Sequence, residues 1–346
     1  MGSTMKAAIF HGSGKPLTIE NIAIPEVGEN EILVKVAACG VCHTDLHYID
    51  HGVPTFKKPP MILGHEASGI VAAAGKGVKR FREGDRVLIP AVFTCGSCKN
   101  CRNGRENICD EMQMLGNNID GAYAEYVKVP AKDCNHLPEQ IPIDAACIIA
   151  DAVSTPFHAV KNRGNVKPGD YVVVFGCGGV GINVVQIASA VGASVLAIDI
   201  MDYKLNFAKE MGAVATLNTS GMSDKEIIKS IRNIFGTLPD IAFEAIGNPK
   251  TIEIAYNCLR PGGRLVQIGY THENVSINAG RLMYREIEVM GSLGCRPVDY
   301  PPLIEMVRTG KIKILPLITH KFKLDEINTA FDMLRKGESI RSIIVF

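Results

Sequence analysis

Residues 176–181 read Gly-Cys-Gly-Gly-Val-Gly, and their setting limits what this chain can fold into more than any other feature. A G-x-G-x-x-G pattern alone is weak. Here it follows an apolar strand-like run, 171–175, and opens an apolar stretch of helical character, 179–191. A second strand-like run, 194–199, ends on Asp199, 18 residues past Gly181. Strand, glycine turn, helix, strand and acid in that order describe a dinucleotide-binding βαβ unit. Gly176, Gly178 and Gly181 permit a tight turn and close backbone approach to a pyrophosphate. The pyrophosphate then rests on the helix N-terminus, where Gly179 and Val180 offer their amides. Asp199 can accept from both hydroxyls of an adenosine ribose and would repel a 2′-phosphate. No arginine follows in Ile200, Met201 or Asp202, so the expected cofactor is NAD rather than NADP.

The alternation continues downstream. Runs 240–245, 264–269 and 288–291 read as strands, and 204–211, 224–234 and 251–258 as helices, the signature of a doubly wound parallel sheet. Before residue 151 the pattern differs. Short strand-like blocks at 5–10, 32–38, 66–74, 85–90 and 121–129 are punctuated by proline and glycine, which predicts a β-rich, barrel-like domain. A chain of 346 residues also exceeds what one core of about 250–300 residues usually holds. The expected domains are 1–152, 153–292 and a return to the first domain over 293–346, with a helix at 302–309 and a final strand at 340–346. Residues 1–4 read as a short appended leader before a native start at Met5.

Cys95, Cys98, Cys101 and Cys109 are spaced C-x2-C-x2-C-x7-C within the lobe 94–110. Four thiolates close a tetrahedron around zinc and leave no open position, so this is a predicted structural site. The intervening residues are small or polar, and metal binding should supply much of the lobe's folding energy. The competing reading is two disulfides or free thiols. Eleven cysteines, an odd number, in a long chain with no secretion signal favour a reducing compartment, and a cytoplasmic location is expected.

A second cluster lies in 39–66. Cys42 and His65 offer a thiolate and an imidazole, a pair that suits zinc with an open position. Thr44, Asp45 and His47 lie between them and can hold or pass protons, and Asp45 can orient the His65 ring. Cys39 and Cys42 also spell C-x-x-C, a thiol redox pair when a βαβ pattern accompanies it. Only one strand-like run, 32–38, precedes this one.

Lysine plus arginine, 37, nearly balances aspartate plus glutamate, 36, so nothing points to nucleic acid or an anionic membrane. The most apolar region, 171–200, carries five glycines together with Asn183 and Gln186 and reads as folded core rather than a membrane span.

With both cysteine clusters and the glycine turn in hand, the chain resembles the zinc-containing medium-chain alcohol dehydrogenases over essentially residues 5–346. Gly64, His65 and Glu66 and the four-cysteine lobe carry the likeness. The resemblance implies an α/β fold, with a GroES-like β-rich catalytic domain and a Rossmann domain, and two zinc ions and one NAD per subunit. It implies catalytic zinc ligands at Cys42 and His65, with Glu66 able to enter the zinc shell when water leaves. The third ligand is usually a cysteine; here Asp151 holds that position, and a harder oxygen ligand should leave the zinc more electrophilic. By the same likeness Thr44 bonds the substrate hydroxyl, and His47 ends a proton relay that runs through the cofactor ribose. His43 and Arg341 touch the pyrophosphate, Lys204 the adenosine ribose and Thr155 the nicotinamide.

The implied reaction is reversible hydride transfer between a primary or secondary alcohol and NAD, cyclic alcohols included. Ala91 stands where relatives put a large aromatic, which implies a roomier pocket. Stretches around Ala91, Asp151 and Cys295 also resemble a branch that oxidises cyclic hydroxyacyl-CoA intermediates in anaerobic aromatic degradation. Relatives are homodimers or homotetramers, so a homo-oligomer is expected, with a small alcohol, aldehyde or ketone as its other partner. One rival is a zinc-free quinone or enoyl reductase, which would lack Cys42, His65 and the lobe. Another is a zinc-stabilised NAD-binding sensor without catalysis.

Overall fold

The computed structural model describes residues 3–346. Met1 and Gly2, half of the expected leader, lie outside the described residues. The chain divides into two compact units, residues 1–151 with 296–346, and residues 152–295. No single helix among the described residues is long and apolar enough to cross a membrane.

The first unit is β-rich, as its sequence predicts, and is organised by Glu31–Gly40. This strand buries most of its length, including Ile32, Val34, Val36, Ala38 and Cys39. One edge pairs antiparallel with Ala67–Ala74, Cys39 facing Ala67. The other edge is shared. Tyr126–Pro130 covers residues 31–35, and Arg341–Val345 covers residues 38–40. The C-terminal strand thus returns to the first unit and completes the sheet beside Gly40. Arg341–Val345 also pairs in parallel with Ile318–Lys323. A smaller sheet sets Thr4–Phe10 between Thr18–Ala23 and Met61–Ile62.

The predicted strand 121–129 is shorter in the structure. Only Tyr126–Pro130 forms the ladder with the central strand. The preceding amides of Gly121, Ala122 and Tyr123 donate instead to the carbonyls of Ile62, Gly64 and Leu63. The strand Thr18–Ala23, the strand Ile318–Lys323 and the helix Ile327–Lys336 carried no sequence expectation. The two strands alternate between half-buried and exposed residues with no fully buried position, so their apolar signal is faint.

The second unit is a six-stranded parallel sheet in the order Ala215–Asn218, Ser194–Asp199, Tyr171–Phe175, Ile241–Glu244, Arg264–Gln267, Glu288–Gly291. Val172, Val173, Val174, Val195, Leu196 and Ala197 are fully buried, as strands covered on both faces require. Strand order reverses between Tyr171–Phe175 and Ile241–Glu244, and such a switch point opens a crevice outside the strand ends. Helix Gly181–Val191 leaves the glycine turn with residues 181–188 buried and stops at Gly192, which is left-handed at φ +104. The other predicted helices appear within a few residues of expectation, at Asp202–Glu210, Asp224–Phe235, Pro249–Asn257 and Tyr300–Arg308.

Because Arg341–Val345 alone covers residues 38–40 of Glu31–Gly40, the end that leads to Cys42, a chain ending at Ile340 should not retain the first unit. We expect loss of resistance to limited proteolysis across residues 31–74 and zinc content well below that of the full chain.

Candidate active site

Two groups of metal-capable side chains occur among the described residues, and both lie in the first unit. The first is the lobe. Cys95, Cys98, Cys101 and Cys109 bring their sulfurs within 4.8 Å of one another. Cys95 lies 3.9 Å from Cys101 and 3.4 Å from Cys109, and Cys98 lies 3.9 Å from Cys109. Tetrahedral zinc at about 2.3 Å sets sulfurs about 3.8 Å apart, whereas a disulfide needs about 2.05 Å. The amides of Ser97 and Cys98 point at Cys95 Sγ, that of Cys101 at Cys98 Sγ, and those of Cys95 and Glu111 at Cys109 Sγ. Hydrogen bonds from Ser97, then from Cys98, draw the Cys95 thiol down to about 6, while burial pushes Cys101 up to about 12. A bound dication removes that remaining proton.

The second group gathers Cys42, His65, Glu66 and Asp151, with one ligand atom from each inside a 4.8 Å cluster. The sheet explains the convergence. Cys42 follows the end of Glu31–Gly40, and His65 and Glu66 immediately precede Ala67–Ala74, the strand paired with it. The Gly40 amide donates to the Glu66 carbonyl at 2.8 Å, and a Cβ on Gly40 would strike the Glu66 side chain. Asp151 ends the turn Cys147–Ala150, and the Tyr300 hydroxyl fixes the Ala150 carbonyl at 2.7 Å. His65 Nε2 is 3.5 Å from Asp151 Oδ2, and Cys42 Sγ is 4.0 Å from the same oxygen.

Electrostatics suit a cation here. Burial alone would raise the Cys42 thiol, yet His65 and Arg341 outweigh it and draw it below the usual thiol range. Burial likewise opposes charge on His65, but Asp45 and Cys42 hold its pKa well above the ordinary value. Each ring nitrogen of His65 has a carboxylate oxygen at 3.5 Å, Asp45 at Nδ1 and Asp151 at Nε2, and neither makes a closer hydrogen bond. Cys39, by contrast, is driven well up by burial and then by Asp45, which makes it an inert thiol rather than half of a redox pair.

Around the donors, Asp45 Oδ1 lies 3.5 Å from His65 Nδ1, the orienting contact expected of it. Tyr123, which sequence reasoning missed, donates to Asp45 Oδ2 at 2.8 Å and is fully buried. Burial, then Asp45, push its phenol well above the ordinary range, so it stays a donor. Thr44 Oγ1 is 3.6 Å from Cys42 Sγ. His43, exposed, starts the helix His43–Ile49, which also carries His47; His47 Nδ1 is 3.0 Å from His51 Nδ1. Arg341 is buried and ion-paired with Glu66. Ala91 is buried beside the strand Val92–Phe93.

In the second unit the glycine turn follows Tyr171–Phe175. Gly176 has φ +90, and a Cβ on Gly181 would lie 1.7 Å from the Gly176 carbonyl, so only glycine fits at 181. Gly178 has open space where a Cβ would stand, which leaves the turn free to approach a ligand. Asp199 is locked by the amides of Cys177, Ile200 and Met201 at 2.8, 2.8 and 3.1 Å. Lys204 stacks its ammonium 5.8 Å over Tyr203, and Thr155 is buried in the helix Ser154–His158. Sequence reasoning also missed Glu244. Its buried carboxylate accepts from the amides of Ile246 and Gly247, Thr251 Oγ1 and Gln267 Nε2, and so pins the loop whose Ile246 packs on Gly176.

Family models match this arrangement. Residues 28–139 match the alcohol dehydrogenase GroES-like domain, and residues 179–309 match the zinc-binding dehydrogenase domain. The chain is 36% identical to an alcohol dehydrogenase of Geobacillus stearothermophilus over 96% of both chains. The chain belongs to the zinc-containing medium-chain alcohol dehydrogenase family. It is also 33% identical to the sorbitol dehydrogenase of Bacillus subtilis, covering 95% of this chain and 93% of that one. An alcohol dehydrogenase of E. coli CFT073, solved with NADH, superposes with a TM-score of 0.92 at 28% identity over the full length of both chains. The protein is thus a zinc-dependent dehydrogenase with a Rossmann domain for NAD, a structural four-cysteine zinc site and a catalytic site built on Cys42, His65 and Glu66.

The two metal groups should separate experimentally. Cys42→Ala should remove one zinc per chain and abolish turnover with little change in Tm. Cys101→Ala should remove the other zinc and lower Tm first. Metal analysis beside a melting curve checks both.

Proposed function

We propose that this chain catalyses reversible hydride transfer between a primary or secondary alcohol, cyclic alcohols included, and NAD. The observation that carries the reading is the cluster of buried Cys42, His65 and Glu66 with half-buried Asp151, beside the hydroxyl of Thr44. Bound at these donors, zinc supplies Lewis acidity toward a substrate oxygen, and NAD supplies the hydride acceptor. Asp151 serves as the third protein ligand where many relatives use cysteine, and Glu66 stands in reserve, held by Arg341. Thr44 Oγ1 would accept the substrate's hydroxyl proton while giving up its own to the cofactor ribose, and His47 would form the outer end of that relay; exposed His51, 3.0 Å from His47, offers an exit to water. Asp199, already fixed by three amides, selects a free ribose. His43, Arg341 and the turn Gly176, Gly178, Gly179, Val180 and Gly181 take the pyrophosphate, Lys204 the ribose and Thr155 the nicotinamide.

Burial of Ala91 in place of a bulky aromatic supports a wide substrate pocket, and the sorbitol-oxidising relative makes polyols part of the range to test. A homodimer or homotetramer is supported by the strand Glu288–Gly291, which ends the parallel sheet with Val289 exposed, near exposed Met283 and Tyr284. A cytoplasmic location is supported by eleven cysteines, all free.

The test is NAD reduction on primary, secondary and cyclic alcohols, sorbitol and a cyclic hydroxyacyl-CoA, with and without a chelator. Turnover on at least one alcohol, lost on chelation, is expected; best turnover on the thioester shifts the assignment to the CoA branch. No turnover on any of them, in either direction, favours the sensor reading. Asp199→Gly should weaken NAD about ten- to a hundredfold, as loss of charge-assisted hydrogen bonds implies, while NADP use holds or improves.

A further inference from the structure

We propose that Tyr123 is a positioning residue of the catalytic metal centre, acting through Asp45 on His65. The argument starts from the carboxylate. Asp45 has no solvent exposure, and a buried carboxylate needs donors. Its Oδ1 is 3.4 Å from the Gly64 amide and 3.5 Å from His65 Nδ1. The short bond comes from elsewhere, from the Tyr123 hydroxyl to Oδ2 at 2.8 Å. The same hydroxyl is 3.0 Å from the Gly40 carbonyl. It has one proton for two acceptors, and the charged one forms the stronger bond.

The ring is held independently of the hydroxyl. A Cβ at Gly64 would lie 2.9 Å from two ring atoms of Tyr123, so the glycine before His65 leaves room for this ring. Phe331 meets it edge-on at 5.9 Å between centroids. The Tyr123 amide bonds the Leu63 carbonyl, and the Tyr123 carbonyl accepts from Ala8. Tyr123 is therefore tied by backbone to the segment that carries His65 and by hydroxyl to the group that orients it. Partners one layer beyond the ligands typically alter metal affinity by about 10–100-fold, and a group one layer further out should act at the lower end of that range.

The experiment uses holoenzyme. Tyr123→Phe keeps the ring and removes only the hydroxyl. The readout is the rate at which each zinc passes to a chromogenic chelator, with the four-cysteine zinc as internal reference. We expect the catalytic zinc to leave about tenfold faster, with the reference zinc unchanged and the chain still folded, its Tm lowered by only a few degrees. Asp45→Asn should show the same acceleration or more, and adding Tyr123→Phe to it should change little. Wild-type release from Tyr123→Phe overturns the proposal. So does full additivity with Asp45→Asn, which would mean the hydroxyl does not act through Asp45. A Tyr123→Phe chain that fails to fold, or loses both zincs together, assigns the hydroxyl to the fold instead and equally overturns it.

Discussion

A thiolate, an imidazole and two carboxylates inside a 4.8 Å cluster are not a stable arrangement without positive charge. Asp45 adds another anion within 3.5 Å of His65. Arg341 is ion-paired with Glu66. The first unit is built so that these groups meet all the same. Two antiparallel strands deliver Cys42 from one end and His65 with Glu66 from the other, and the Gly40 amide locks the junction through the Glu66 carbonyl. Zinc held by Cys42, His65, Glu66 and Asp151 would resolve the repulsion that this geometry creates and would supply Lewis acidity to a substrate oxygen.

The same logic of fixed charge runs through the second unit with opposite sign. A dinucleotide brings phosphates, and the chain answers with amides rather than a cluster of cations. The Gly176 carbonyl sits so close to Gly181 that no side chain fits, and the freed space lets the turn and the helix N-terminus face an anion. Asp199 and Glu244 are carboxylates that accept from amides at the ends of the two strands flanking Tyr171–Phe175. Each spends its charge holding backbone in place, so the shape of the nucleotide crevice is set before any ligand arrives.

Much of this was readable in the chain because the informative residues are close in sequence. The lobe needs only the spacing of Cys95, Cys98, Cys101 and Cys109, and the Rossmann unit needs only the order of 171–199. The sequence also suggested Asp45 as the orienter of His65, since both lie in one short stretch. What stayed hidden depends on pairings across the fold. Tyr123 reaches Asp45 only because residues 121–123 hydrogen-bond to 62–64 instead of extending the predicted strand. Arg341 meets Glu66 only because the last strand lies against residues 38–40. Glu244 looks like an ordinary strand-end acid until four donors are seen around it. No local periodicity encodes such contacts.

Substrate choice belongs to that second, non-local class. The family's chemistry is set by the donors and the glycine turn, which leave little freedom: Gly40, Gly64 and Gly181 each have a neighbour standing where a Cβ would go. Ala91, buried beside the strand Val92–Phe93 and supplying no metal donor, carries no such demand for glycine. A change there alters side-chain volume without removing a metal donor. This separation explains how relatives named for simple alcohols and for sorbitol can match the same chain at nearly equal identity, 36% and 33%. Apolar packing is suited to such variation, since one methylene more or less in a hydrophobic pocket shifts discrimination by about 10–200-fold.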